Sequence, residues 1–311
     1  MALLRSAGLL RPFLAVARTG NLSAAARELA VSQPALTKSV RKLEQQFGVA
    51  LFDRRARGMT LTPSGAALLA HARLIEAQCR FADAELEALA HGEGGQLRVG
   101  AGTYWGPTLV PLAIARLQSR FPRLRVSLEV GVNASILPRL YAGEFDLVMS
   151  ALPEASTLPL GIQMEGLGQL HQRIVAGRQH PLHRRRRVTV SDVARHPWVV
   201  YQHDADLLDR LNRVMRARGG EPANVAVVTT SLLAVIQLLK TGAYLACLPD
   251  AYLRAMPEPQ IAVLPFAREI WSFPSGALYH ASLRSFAPVT ALIDALRDLQ
   301  RERRRVAKAA R

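Results

Sequence analysis

Apolar residues in the first fifty positions recur at helical spacing. Leu10, Phe13, Leu14 and Ala17 mark one face of a first helix that ends near Gly20, with Pro12 expected in its first turn. A second helix is predicted from Ser23, read as its N-cap, through Ala26, Leu29 and Ala30. Ala30-Val31-Ser32 forms a tight turn. A third helix opens at Ser32 or Gln33, with Pro34 in its first turn and Leu36, Val40, Leu43 and Phe47 as its apolar face. Residues 51–62 alternate and turn at Arg57-Gly58, which reads as two short strands.

Thr62 and Pro63 then suit the start of a long helix. Its apolar seam, Leu68, Ala72, Ile75, Cys79, Ala82, Leu86 and Leu89, steps alternately by four and three. That is a coiled-coil repeat, so these residues are the expected dimer contacts. His91-Gly92-Glu93-Gly94-Gly95 breaks the helix as a hinge. From Leu97 onward short apolar strands alternate with amphipathic helices, which argues for α/β architecture with largely parallel strands. The predicted strands are 97–100, 125–130, 145–150, 174–176, 198–201, 225–228, 244–248 and 277–280.

The polar side of the third helix changes the picture. Gln33, Thr37 and Arg41 lie in one row, with Lys38 beside it. A helix fits the major groove of B-DNA, where amide, hydroxyl and cationic groups read base edges or hold phosphates. A short helix and tight turn before it complete a helix-turn-helix. Arg54, Arg55 and Arg57 near the hairpin tip make a basic wing suited to the narrow minor groove.

Charge agrees with that reading. The 311 residues carry 40 Lys and Arg against 24 Asp and Glu, a net charge of +16. Residues 1–73 hold 11 basic and three acidic side chains, and residues 301–311 hold six and one. Such a balance favours a polyanionic partner. Two distant cysteines, Cys79 and Cys247, suit a reducing cytoplasm better than a disulfide framework. No uninterrupted apolar stretch is long enough to span a membrane, so no membrane partner is expected.

From Phe13 to Leu69 the chain resembles the DNA-binding domain of LysR-type transcriptional regulators. The string NLSAAARELAVSQPALTKSVRKLEQQFGVALFDRRARGMTLTPSGAALL carries the family's AA-x-x-L, SQPA-L, LE-x-x-x-G-x-x-LF-x-R and LT-x-x-G signatures without a gap. The resemblance implies DNA contacts at Gln33, Pro34, Thr37 and Lys38, and at Arg57 of the wing; Ser32, Arg41 and Arg54 beside them are further DNA-binding candidates. Where this chain has Thr37-Lys38, relatives more often have Ser-Arg, and lysine lacks arginine's planar fork. A weaker likeness continues in LRVGAG, L-x-x-GEFDLVMS, HPL and TGAYLACLP. It implies a C-terminal two-lobed domain of periplasmic-binding-protein architecture.

The expected organisation is a winged helix-turn-helix at 1–62, a linker helix at 63–91 and an effector-binding domain at 92–300, followed by a basic tail at 301–311. Lobe I takes 92–164 and 268–300, and lobe II takes 165–267. Ligands in open α/β sheets bind beyond the carboxyl ends of strands. Thr103, Tyr104, Trp105, Asn133, Ser135 and Ser150 from lobe I occupy such ends, as do Tyr201, Gln202, Thr230 and Ser231 from lobe II. The family analogy makes the effector an anionic or aromatic small molecule. It also implies an inverted-repeat duplex site, a homodimer or homotetramer, and RNA polymerase as a partner. No cofactor or metal is expected.

Two rival readings stand beside this one. Met1 to Ala17 imitates a secretory leader, as a solute-binding protein would need, but Arg11 and Pro12 interrupt its apolar run. Gly100, Gly102 and Gly106, with Glu129 ending the next strand, imitate a dinucleotide-binding turn at poor spacing. His180, His183 and Arg184–Arg187 read as a solvated basic loop. No catalytic motif is present, so no enzyme is expected.

Overall fold

The structure is a computed structural model that describes residues 7–55, 58–91, 95–159, 161–201, 205–255, 258–266 and 270–309. It divides into two compact units: Met1–Leu86 with Tyr141–Glu144, and Glu87–Leu140 with Phe145–Arg311.

In the first unit, helix α1 spans Ala7–Thr19, α2 Leu22–Glu28 and α3 Gln33–Phe47. Pro12 lies inside α1 rather than in its first turn. The N-cap of α2 is Asn21, not Ser23: its side chain accepts from the N–H groups of Ser23 and Ala24. Asn21 gains by satisfying two of the helix's orphan donors at once. Leu10, Phe13, Leu14 and Val16 of α1 pack with Leu36, Val40 and Leu43 of α3 in one core. The Phe13 and Phe52 rings meet at 5.3 Å. The turn between α2 and α3 passes through Ala30 at φ 54°, a left-handed position that lets the chain reverse within three residues.

Strands β1 (Phe52–Arg55) and β2 (Gly58–Leu61) pair antiparallel as the wing. The wing is held near its turn end, where the Met59 N–H donates to the Gly20 carbonyl at 2.8 Å. Gly58 sits at φ 133°, and a Cβ there would lie 2.5 Å from the same carbonyl oxygen. Helix α4 runs from Pro63 to His91, with the Thr62 hydroxyl accepting the Gly65 N–H at 3.0 Å.

The second unit is built on a nine-stranded sheet. Its strands are β3 (Gly95–Ala101), β4 (Leu124–Val130), β5 (Leu147–Ala151), β6 (Ile162–Gly177), β7 (Pro197–Tyr201), β8 (Asn224–Thr229), β9 (Leu245–Pro249), β10 (Ile261–Val263) and β11 (Trp271–His280). Their order is β4-β3-β5-β11-β6-β9-β7-β8, with β10 on β6. The sheet is mixed, which corrects the expectation of largely parallel strands. β3 pairs parallel with β4 and β5, and β7 pairs parallel with β8 and β9. The long strands β6 and β11 run antiparallel to their neighbours and lie between a β4-β3-β5 side of the sheet, called lobe I below, and a β9-β7-β8 side, called lobe II.

Helices α5 (Leu109–Arg120), α6 (Asn133–Tyr141) and α11 (Ala287–Ala309) belong to lobe I. Helices α7 (Val190–Ala194), α8 (Ala205–Ala217), α9 (Leu232–Lys240) and α10 (Asp250–Ala255) belong to lobe II. Lobe I buries Leu97, Val99, Leu109, Leu140, Leu147 and Leu292, and lobe II buries Ile174, Trp198, Leu211 and Leu245. Full burial of each such side chain contributes about 1.5–3 kcal/mol. The basic tail is not a separate segment: α11 continues helically to Ala309.

Candidate nucleic-acid interface and effector site

Helix α3 owes its orientation to its two faces. Leu36, Val40 and Leu43 are buried, while Gln33, Pro34, Lys38 and Arg41 are exposed. Ser32 is the N-cap, and its hydroxyl accepts the Ala35 N–H at 3.3 Å. Pro34 costs nothing there, because a first-turn N–H has no intrahelical partner. Gly48, left-handed at φ 69°, ends the helix. The predicted polar row is therefore presented together at the helix's exposed start.

Two of its members are already oriented. The Gln33 side-chain carbonyl accepts the Ser23 hydroxyl at 2.9 Å, so its amide N–H groups point onward. The Thr37 hydroxyl donates to the Gln33 backbone carbonyl at 2.9 Å. Sequence reasoning read Ser23 only as a cap and missed its hold on Gln33. Arg57 lies outside the described residues. Arg54 lies on β1, but its side chain is likewise outside them.

The expected coiled-coil seam is corrected in part. Leu68 and Ala72 are buried in the first unit's own core, Ala72 completely. Neither can meet a partner helix. Cys79, Ala82 and Leu86 of the same seam are exposed, Leu86 at 63%. Ile75 is half-buried against the core, and the Leu89 side chain is outside the described residues.

At the carboxyl ends of lobe I, Thr103 is half-buried in the turn that follows β3. Tyr104 and Trp105 are buried in that turn and meet edge to face at 5.4 Å. Burial holds the Tyr104 hydroxyl above the usual phenol range, against the lowering pull of Arg303. Trp105, expected to wall a ligand, is instead a core residue at 1% exposure, and its indole N–H donates to the Ser275 hydroxyl of β11 at 2.5 Å. Asn133 spans two elements: its amide donates to the Ala151 carbonyl at 2.9 Å, and its own carbonyl accepts the Ser150 hydroxyl. Ser135 donates to the Val132 carbonyl at 2.9 Å. Asn133 and Ser150 therefore tie the start of α6 to the end of β5, while the Ser135 bond stays within the turn before it.

In lobe II, Tyr201 ends β7 half-buried, and burial raises its hydroxyl above the usual range. Thr230 is exposed, and Ser231 caps α9 by accepting the Ala234 N–H at 3.2 Å. Gln202 lies outside the described residues.

The glycines that imitated a dinucleotide turn have packing roles. Gly100 lies under Val148 and Phe145, and a Cβ on Gly106 would stand 2.4 Å from a Val130 methyl. Among the described residues no group of three His, Cys, Asp or Glu could hold a metal, and no helix is long and apolar enough to cross a membrane.

Comparison with known proteins follows this division of labour. Residues 8–66 match the bacterial regulatory helix-turn-helix protein model of the lysR family, and residues 90–301 match the LysR substrate binding domain. The chain belongs to the LysR family of transcriptional regulators: it is a DNA-binding protein with an effector-binding domain. It is 34% identical over 221 residues to the SDS degradation transcriptional activation protein of a Pseudomonas species, covering 70% of each. It is 31% identical over 263 residues to the regulator TfdS of Cupriavidus pinatubonensis, covering 83% of this chain and 86% of that protein. Among solved structures, full-length CbnR complexed with its target DNA aligns over 94% of this chain and 99% of that one, at TM-score 0.60 and 24% identity. A full-length OxyR from Pseudomonas aeruginosa aligns over 94% of each chain at TM-score 0.65 and 22% identity. Neither rival reading, the secreted solute-binding protein or the dinucleotide enzyme, finds support in these matches.

Proposed function

We propose that α3 reads an inverted-repeat duplex site through Gln33, Thr37 and Lys38, with Arg41 and the wing arginines on phosphates or in the minor groove. The observation that carries this reading is the exposed polar row beginning at the Ser32 cap, set against a fully buried opposite face. The protein acts in the cytoplasm as a homodimer or dimer of dimers and carries no catalytic activity. A small anionic or aromatic effector enters between the lobes near Thr103 and Tyr201. Its binding shifts the lobes and so the presentation of the paired DNA heads to RNA polymerase.

Self-association is supported by exposed apolar side chains at both sheet edges. Val130 on β4 is 45% exposed and Val228 on β8 is 54% exposed. Leu112 on α5 and Leu233 on α9 are exposed at 48% and 67%. An unpaired edge with apolar neighbours favours another protein surface over water.

The test is selection of random duplexes by the full chain. A palindromic consensus is expected; Arg41→Ala should lower the slope of affinity against salt by about one, and Lys38→Ala should relax the base preference at one position of the site. Binding with no sequence preference would refute the assignment.

A further inference from the structure

Helix α11 carries a cation into the effector-binding unit. It begins after β11, packs along α5, and is tied there by the Arg116–Glu302 ion pair at 2.8 Å. One residue further on, the Arg303 guanidinium stands close enough to the Tyr104 hydroxyl, in the turn at the carboxyl end of β3, to pull its pKa down against the effect of burial. Its Nη1 is buried and has no hydrogen-bond partner among the described residues. A buried guanidinium N–H without an acceptor is costly, and such orphans mark a group that something else completes.

The surroundings say what that is. From lobe II, α10 brings Arg254 and Asp250 close enough to Tyr104 to act on its hydroxyl electrostatically. Those two residues already form a bidentate pair at 2.9 and 3.1 Å. The pair is neutral, so Arg303 leaves the cluster one positive charge in excess. Burial keeps the Tyr104 hydroxyl protonated and able to donate. A guanidinium N–H and a phenol O–H, with one uncompensated charge, match a single carboxylate.

We propose that Arg303 and Tyr104 form a binding site for the carboxylate of a small organic acid, completed from the other lobe by Arg254. The inference rests on the reading of the second unit as the effector-binding domain, and it makes the basic end of α11 part of the sensor. Ligand entry gives Arg303 its missing acceptor and draws the α10 pair of lobe II toward lobe I.

The test is thermal unfolding of the full chain with acetate, benzoate and neutral benzamide at constant ionic strength. The carboxylates should raise the melting temperature and benzamide should not. Arg303→Gln should weaken the carboxylate response by about tenfold or more, and Tyr104→Phe should weaken it in the same direction. Both variants should melt near the wild type without ligand, and Tyr104→Phe serves should Arg303→Gln fail to fold. An equal response in wild type and both variants overturns the site, as does a wild type that ignores every carboxylate. If Thr103→Val removes the response while Arg303→Gln keeps it, the effector reading stands and this site falls.

Discussion

The Trp105 indole N–H and the Ser275 hydroxyl meet at 2.5 Å, joining the turn after β3 to the strand that returns from lobe II. Ser275 is fully buried, and the register of β11 against β6 shifts between it and Gly276. The bond thus ties the turn after β3 to the point where the pairing of β11 with β6 is irregular. Ser275→Ala leaves a buried N–H unpaired and should lower stability by about 1–3 kcal/mol in urea unfolding. Loss within experimental error would mean the indole finds another acceptor.

Gly276 is the tightest place in that crossing. A Cβ there would lie 1.9 Å from the Glu165 carbonyl oxygen and 2.9 Å from the Leu167 nitrogen, and backbone cannot yield as a side chain does. Gly166, on the facing strand, has only a Leu152 methyl at 3.8 Å. Gly276→Ala should therefore cost about 3 kcal/mol or more, and Gly166→Ala should be tolerated. Equal melting temperatures for the two variants would contradict the bulge geometry.

The helix-turn-helix was legible because its apolar spacing, caps and turn residues all agree, and Leu36, Val40 and Leu43 are buried as the spacing requires. The lobe-crossing strands were not. Only residues 174–176 of β6 formed an apolar run, since Gly166, Gly168 and several polar residues dilute its first half. Pro274 and flanking serines hid the start of β11 in the same way. Beyond Leu299 the last turns of α11 have no apolar stripe to announce them, so Arg303 was read as part of a tail. Aromatic residues after a strand end are equally compatible with a ligand wall and a core, and only packing decided that Trp105 is core. Ala72 shows the same limit: a heptad position fits an intramolecular core as well as a partner helix.

His180 gives lobe II a pH dependence. It is 1% exposed, its Nδ1 accepts the Leu182 N–H at 3.2 Å, and the His196 ring lies 4.5 Å away. Burial, and then the neighbouring His196 and His183, lower its pKa from 6.5 to about 4. Between those values the unfolded chain binds a proton that the folded chain refuses, so stability rises with pH across that window. The penalty is complete below about pH 4 and amounts to roughly 3 kcal/mol. Urea unfolding at pH 7 and pH 5 should show the drop in wild type and a smaller one in His180→Gln. An unchanged difference would assign the effect to another group.

Leu86 and Ala72 separate association from folding. Leu86 is exposed on α4, whereas Ala72 has no exposed surface and sits in the first unit's core. Leu86→Glu should reduce the sedimenting mass with little change in melting temperature. Ala72→Glu should instead unfold the DNA-binding unit, because it buries an unpaired carboxylate. If Leu86→Glu sediments as wild type, the exposed end of the seam is not the contact.

The contacts within α3 predict what each base-facing group can read. Ser23 holds the Gln33 carbonyl, so Gln33 offers donors, which suits acceptors on the major-groove edge such as guanine O6 and N7. Ser23→Ala frees the amide to rotate and present either end. It should broaden base preference at one position of the selected site while leaving nonspecific affinity unchanged. Thr37 commits its hydroxyl proton to the Gln33 backbone, so its methyl is the group expected to meet a base, which suits the methyl of thymine rather than a polar edge. Thr37→Ser keeps the hydroxyl and removes only that methyl, so it should weaken binding where thymine is selected, by about 1 kcal/mol. Competition between duplexes bearing thymine or uracil at that position measures the same contact from the DNA side. A wild-type protein that binds both equally would show that Thr37 does not touch a base.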